Sequence, residues 1–176
     1  MRRFAGFIAC AAAALFVSAA SAQAPGPMPP QPTAQENADY LAANAKKKGV
    51  IVRPSGLQFR IIRNGFGTRP TPTDTVTVNY TGKLINGMLF DGTSPGLPAS
   101  FKVNLLVPGW VEALVSMRVG DRWQLVIPAK LGYGMRGQGD IGPNQTLVFD
   151  MELLATKPAP KKGEKGYIPE PGEEKN

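Results

Sequence analysis

Residues 50–156 predict an α+β domain, a β-sheet with one face in water and a single short helix laid on the other. Two patterns carry that reading. Four stretches alternate apolar and polar residues with the period of half-buried strands. One stretch between them switches to helical spacing, with Trp110, Leu114 and Met117 at i, i+4 and i+7 before Gly120. One helix of about two turns can cover one face of such a sheet.

In chain order, residues 1–24 read as a secretory leader. Arg2 and Arg3 give a basic start, Phe4 to Ala20 is uncharged and rich in Ala, Phe and Val, and Ala20-Ser21-Ala22 or Ala22-Gln23-Ala24 offers a small-x-small cleavage site. The run is short and Ala-rich for a spanning helix, so no stable membrane insertion is expected after cleavage, and the mature protein is expected in the periplasm or secreted. Cys10 lies inside this leader with a poor lipoprotein lead-in. Residues 25–32, dense in Pro and Gln, form an extended linker.

Residues 33–49 predict a short helix. Thr33-Ala34-Gln35-Glu36 has the form of a capping box, Ala38, Leu41, Ala42 and Ala45 recur on one face, and Lys46 to Lys48 followed by Gly49 close the last turn. This helix lies outside the stretch that holds the core strands, so a chain starting near Gly49 is expected to fold. The strands follow. Leu57-Gln58-Phe59-Arg60-Ile61 alternates, then Val76, Val78, Tyr80 and Leu84 against Thr75, Thr77, Asn79, Thr81 and Lys83, then Trp123, Leu125 and Ile127, and last Leu147, Phe149, Met151 and Leu153. Residues 157–176, mostly Lys, Pro, Gly and Glu, predict a disordered tail.

Composition removes several classes of chemistry. The chain has no histidine and one cysteine, so serine or cysteine triads, zinc sites and an internal disulfide are excluded, and neither metal nor cofactor is expected. The net charge of +7 drops by two to +5 when the leader goes with Arg2 and Arg3. A nucleic-acid partner does not fit an exported protein, and Lys46 to Lys48, Arg53, Arg60 and Arg63 read as a solvated face. Gly132-Tyr133-Gly134-Met135-Arg136-Gly137 matches a dinucleotide fingerprint literally, but Gly139, Gly142 and Pro143 forbid the helix on which anion binding depends. Asp150 and Glu152 share one strand face, where alternating polar residues face water rather than forming a carboxylate pair.

Six separated motifs span about 100 residues from Ser55 to Leu154. They are Val76 to Leu84, Asn86-Gly87-Met88-Leu89-Phe90-Asp91, Phe101, Val107-Pro108-Gly109-Trp110, Leu131-Gly132-Tyr133-Gly134, and Leu147 to Leu154. Their order and spacing resemble the FKBP-type peptidyl-prolyl cis-trans isomerases. The wording around the first helix is similar to the periplasmic and macrophage-infectivity-potentiator members, without room after the leader for their long dimerisation region, so a monomer is expected.

The resemblance implies an FKBP-like fold, an antiparallel sheet curled around one short helix, and an enzyme that assists folding of exported proteins by rotating X-Pro bonds. It implies a catalytic set of Tyr80, Phe90, Asp91, Trp110, Tyr133 and Phe149, with Phe101, Leu106, Val107 and Ile141 lining the substrate site. Trp110 is the implied floor under the proline ring. The Val107 N–H and the Tyr133 hydroxyl are the implied holders of substrate carbonyls, with Asp91 at the rim. The implied partners are proline-containing unfolded or nascent exported polypeptides and macrolides of the rapamycin type. A non-catalytic chaperone or peptide-binding module using the same pocket is the alternative.

Two departures from the family pattern stand out. The residues after Asp91 include no arginine to pair with it, and Val103 replaces an aromatic found in some members, which widens one wall.

Overall fold

The computed structural model describes residues 30–160 and residue 164. The expected leader, residues 25–29 of the linker and, Glu164 apart, the tail beyond Pro160 lie outside the described residues. Nine elements follow in order: helix α1 (Ala34–Ala45), strands β1 (Val50–Val52), β2 (Gln58–Arg63), β3 (Thr75–Leu84), β4 (Leu89–Gly92) and β5 (Ala99–Lys102), helix α2 (Pro108–Leu114), and strands β6 (Arg122–Ile127) and β7 (Leu147–Lys157). Single turns of 3-10 helix lie at Val103–Leu105 and Ala129–Leu131.

The strands form one seven-stranded sheet in the order β1-β2-β6-β7-β3-β4, and every pairing is antiparallel. β7 occupies one edge of β3 along its whole length, so β4 and β5 share the other edge. All four alternating stretches are strands. On β3 the buried set is Val76, Val78, Tyr80, Gly82 and Leu84, and on β7 it is Leu147, Phe149, Met151 and Leu153. β1, β4 and β5 did not show in the sequence because three or four residues are too few to display a period.

The two chains of alternation converge on α2. Trp110, Ala113, Leu114 and Met117 are all buried against the strand residues in one core cluster. α2 starts two residues earlier than its apolar pattern, because Pro108 occupies its first turn, where no N–H is needed. Gly109 sets the depth of the contact: a Cβ there would stand 2.5 Å from Ile127 Cγ2, so only glycine lets the helix rest on β6. Each fully buried Leu or Met in this cluster contributes about 1.5–3 kcal/mol of apolar burial.

α1 carries the expected capping box, with the Thr33 hydroxyl accepting from Glu36 N and the Glu36 carboxylate accepting from Thr33 N. Its other features depart from the sequence pattern. The helix ends at Ala45 rather than Lys48. Its inward face is Asn37, Leu41 and Asn44, not the expected line of Ala38, Leu41, Ala42 and Ala45, of which Ala38 and Ala42 are exposed. The reason is polar. Asn44 Nδ2 donates to Gln58 Oε1 at 2.8 Å, Gln58 Nε2 donates to Leu41 O, and Thr146 N donates to Asn37 Oδ1 at 2.7 Å, which fixes the rotation of the helix about its axis.

Candidate active site

Five rings meet where β3, β4, β5, α2 and β7 converge. Trp110 lies at the centre, edge-on to Tyr80 at 5.0 Å, to Phe149 at 5.1 Å and to Phe101 at 6.0 Å between ring centroids. Phe90 stands at 90° to Phe149 at 5.5 Å, and Tyr80 also meets Phe101 and Phe149 at 6.1 and 6.3 Å. Edge-to-face pairs of this kind each contribute about 0.5–1.5 kcal/mol beyond burial and hold the rings at fixed angles. Tyr80, Trp110 and Phe149 are buried, while Phe90 and Phe101 are half-buried. We call this cluster, with Tyr80, Trp110 and Phe149 buried and Phe90 and Phe101 partly open, the aromatic cup.

The register explains how the sequence builds it. Gly82 lies opposite Phe149 on β7 and opposite Asp91 on β4. A Cβ at Gly82 would stand 2.7 Å from Phe149 Cε1 and 2.8 Å from Phe90 Cε2. Glycine at this point of β3 therefore makes the space that the two rings fill. Sequence reasoning did not single Gly82 out. The available signal was an isolated glycine inside an otherwise alternating strand.

Polar groups are few and sit on one side of the cup. The Tyr80 hydroxyl donates to Asp91 Oδ2 at 2.8 Å, and Gly92 N donates to Asp91 Oδ1 at 2.8 Å. Burial, the hydrogen bond to Asp91 and the charge of Asp91 all push the Tyr80 phenol well above its ordinary value. Tyr133 is half-buried in the loop that follows the 129–131 turn, and its phenol is raised by burial and then by the Asp91 charge. The Asp91 charge thus reaches Tyr133, while among the described residues no ring contact ties Tyr133 to the five-ring network. No arginine or lysine forms an ion pair with Asp91 among the described residues.

Of the remaining expected residues, Leu106 and Val107 are half-buried against the core cluster and Ile141 is buried in it. Val107 O accepts from Trp110 N and Val111 N as the start of α2, while Val107 N–H finds no acceptor among the described residues. The Trp110 indole Nε1 is likewise buried without an acceptor among the described residues. Val103 is fully buried in the core. Asp150 and Glu152 form no carboxylate pair for catalysis: Arg122 clasps Asp150 with two bonds of 2.7 and 3.0 Å, and Arg63 pairs with Glu152. The literal glycine fingerprint at 132–137 runs into a small antiparallel bridge between Gln138 and Ile141, not a helix. Among the described residues no group of three Cys, Asp or Glu side chains is placed to hold a metal.

The class is thus an antiparallel sheet wrapped on one short helix, with five aromatic rings gathered at the helix start. Comparison with known proteins gives that class its family. Residues 67–154 match the FKBP-type peptidyl-prolyl cis-trans isomerase family, and residues 13–61 match the domain amino terminal to FKBP-type peptidyl-prolyl isomerase. The chain belongs to the FKBP-type peptidyl-prolyl cis-trans isomerases. It is 54% identical over 126 residues to the FKBP-type 22 kDa peptidyl-prolyl cis-trans isomerase of Escherichia coli, a match covering 70% of this chain and 61% of that protein. It is 50% identical over 122 residues to the outer membrane protein MIP of Legionella longbeachae, covering 68% of this chain and 52% of that one.

Among solved structures, FkpA from Escherichia coli superposes with a TM-score of 0.69 at 44% identity, over 72% of this chain and 60% of FkpA. A peptidyl-prolyl isomerase from Pseudomonas syringae gives 0.67 at 34% identity, over 70% of this chain and 92% of that chain. The matched region spans about half to three fifths of the curated relatives.

Proposed function

We propose that this protein is a peptidyl-prolyl cis-trans isomerase acting on exported, proline-containing polypeptides, with the aromatic cup as its site. The observation that carries the reading is the set of rings held edge-on around Trp110 beneath a single carboxylate–phenol pair. An X-Pro bond turns slowly because amide resonance imposes a barrier of roughly 18 to 20 kcal/mol. The twisted transition state has lost that resonance and carries less charge separation than either planar form. An apolar cup that excludes water favours it over the ground state, and each 1.36 kcal/mol of difference is worth tenfold in rate. No nucleophile, metal or general base takes part.

In this reading the proline ring rests on Trp110 between Tyr80, Phe90, Phe101 and Phe149, with Leu106, Val107 and Ile141 completing the wall. The Val107 N–H, without an acceptor among the described residues, and the Tyr133 hydroxyl hold the peptide carbonyls on either side of the turning bond. Asp91, fixed by Tyr80 and Gly92, lies at the rim. Export is supported by the leader pattern and by the printed name of the Legionella relative as an outer membrane protein. Among the described residues no helix is long and apolar enough to cross a membrane. A macrolide with a pipecolinyl ring presents the same shape as proline and competes for the cup.

A protease-free assay with a tetrapeptide bearing an apolar residue before proline tests the proposal. Cis-to-trans conversion accelerates with folded protein and slows again with a rapamycin-type ligand. A rate equal to the thermal one at micromolar folded protein refutes it. A second reading, a peptide-binding chaperone with little turnover, draws support from exposed Leu89, Leu97, Leu105 and Met135, each near a pocket residue in the chain. The same measurement separates the two, since a binder protects a client from aggregation without changing the rate.

A further inference from the structure

We propose that the segment from Pro30 to Asn37 is a strap that positions the substrate-facing loop, with Gln31, Asn37 and Gln145 as positioning residues of the isomerase site. The inference rests on the isomerase reading of the aromatic cup. Loop 134–146 carries Ile141 and follows Tyr133, two of the residues assigned to the cup wall. It contains four glycines, three of them, Gly134, Gly137 and Gly139, in left-handed backbone. Such a chain is expensive to order, because glycine loses more backbone freedom than any other residue. Its internal bonds are few: Gln138 and Ile141 exchange two backbone bonds, and Asn144 N donates to Gly134 O.

Gly134 N and Gly137 N also donate back to Ala129 O and Tyr133 O, and Ile141 packs into the core. Further restraint comes from a segment more than 100 residues away in sequence. Gln31 Nε2 donates to Asp140 O at 2.8 Å, and Gly142 N donates to Gln31 Oε1 at 3.3 Å, so one amide side chain clips both flanks of Ile141. Gln145 Nε2 donates to Pro32 O and to Pro143 O, and Asn37 Nδ2 donates to Gln145 Oε1. Asn37 Oδ1 accepts from Thr146 N at 2.7 Å, at the entrance to β7 and three residues before Phe149. Asn37 and Gln145 are 4% and 5% exposed, so these bonds form away from competing water. At its other end the strap reaches the turn before Phe90, where Asn86 Nδ2 donates to Pro30 O. The strap therefore bonds to the chain on either side of Ile141, to the start of β7 and to the turn before Phe90, and none of these bonds is made by a cup residue.

A loop held in its bound geometry spares the substrate the ordering cost, so the strap acts on substrate binding rather than on the turning step. The test uses the full mature chain and its Gln31→Ala and Asn37→Ala variants, read by peptide isomerisation, thermal unfolding and amide hydrogen exchange. Gln31→Ala removes only the clip. It is expected to raise KM by about three- to fivefold, the equivalent of one net hydrogen bond, with kcat within about twofold and the unfolding temperature unchanged. Asn37→Ala raises KM further, by about tenfold, with some loss of stability. In both, exchange at the Ile141 and Gly142 amides quickens while strand amides of β6 keep their protection.

Unchanged KM in both variants at a temperature where each is folded overturns the strap, even if Asn37→Ala unfolds earlier. So does unchanged exchange at Ile141 and Gly142, a readout that needs no turnover. A wild-type protein without isomerase activity refutes the functional reading instead.

Discussion

Gly82 offers the most direct test of whether ring placement, not mere apolar content, makes the site. Replacing it with alanine puts a methyl 2.7 Å from Phe149 Cε1 and 2.8 Å from two atoms of Phe90. Carbon atoms rest about 3.5–4.0 Å apart, so each ring must retreat by about 1 Å. Phe149 has nowhere to go: it is 3% exposed and lies between Trp110 at 5.1 Å and Tyr80 at 6.3 Å. Phe90 is half-buried on a four-residue strand at the sheet edge and gives way outward. Overpacking of this size costs about 1–3 kcal/mol, and losing a strand glycine returns about 0.5–1, so the net loss of stability is about 1 kcal/mol. A displacement of about 1 Å at a positioned wall lowers rates by up to about 100-fold. Thermal unfolding and peptide isomerisation measured on the same Gly82→Ala sample separate the two effects. A fall of a few degrees with a kcat/KM reduced at least tenfold is expected. Full activity at reduced stability refutes the reasoning, because it means the Phe90 wall contributes nothing.

Four further outcomes follow from the same geometry. Tyr133→Phe removes one carbonyl donor in a loop and weakens substrate or macrolide binding by about 0.5–1.5 kcal/mol, with an unchanged unfolding temperature; unfolding of this variant places Tyr133 in the core instead. Trp110→Ala opens a cavity beneath three rings at a residue 4% exposed, and is expected to abolish turnover and cost about 3–5 kcal/mol in denaturant unfolding. Asp91→Asn keeps one oxygen to accept from Tyr80, loses the bond from Gly92 N because its amide nitrogen cannot accept, and has no cationic partner to orphan among the described residues, so turnover falls by less than about tenfold. Tyr80 and Tyr133 are raised above the ordinary phenol value of 10.0, so the neutral forms that the fold prefers are complete below that value. Stability is then lost as pH climbs past 10 toward the folded pKa values, and a titration of unfolding midpoint between about pH 8 and 12 shows the decline.

On the acid side the sign reverses. Glu36 is lowered by the Thr33 amide and hydroxyl that it caps. Burial raises the Asp74 carboxyl, but bonds from the Thr71 hydroxyl and amide, the Thr156 hydroxyl and the Ala159 amide outweigh it and bring it below its ordinary value. Both groups stabilise the fold above their unfolded values and lose that contribution as pH falls through the folded ones. Asp74 ties the start of β3 to the end of β7, so the acid limb reports the same β3–β7 pairing that carries Tyr80 and Phe149.

Much of this was legible in the residues because the informative elements are long. β3 and β7 have ten and eleven residues, enough for alternation to fix which side chains point inward, and that places Tyr80 and Phe149 on the same face. The aromatic cup follows once α2 is set down with Trp110 toward them. What could not be read is polar and distant. In α1 the hydropathy pattern selects the alanine face, since nothing local distinguishes a buried asparagine from a solvated one. Asn37 turns inward where Gln145 and the Thr146 amide, 108 and 109 residues further on, offer it partners beside the local carbonyls of Pro32 and Thr33. Without them its burial would cost more than the alanines could return. Gly82 was hidden for a related reason: its role is the space it leaves, and the two rings that use that space come from different strands. The residues that sequence patterns miss here are therefore those whose energy depends on pairs far apart in the chain. Gly82 makes room for Phe90 and Phe149, and Asn37 ties the first helix to the start of β7, so each acts through a partner that only the fold brings near.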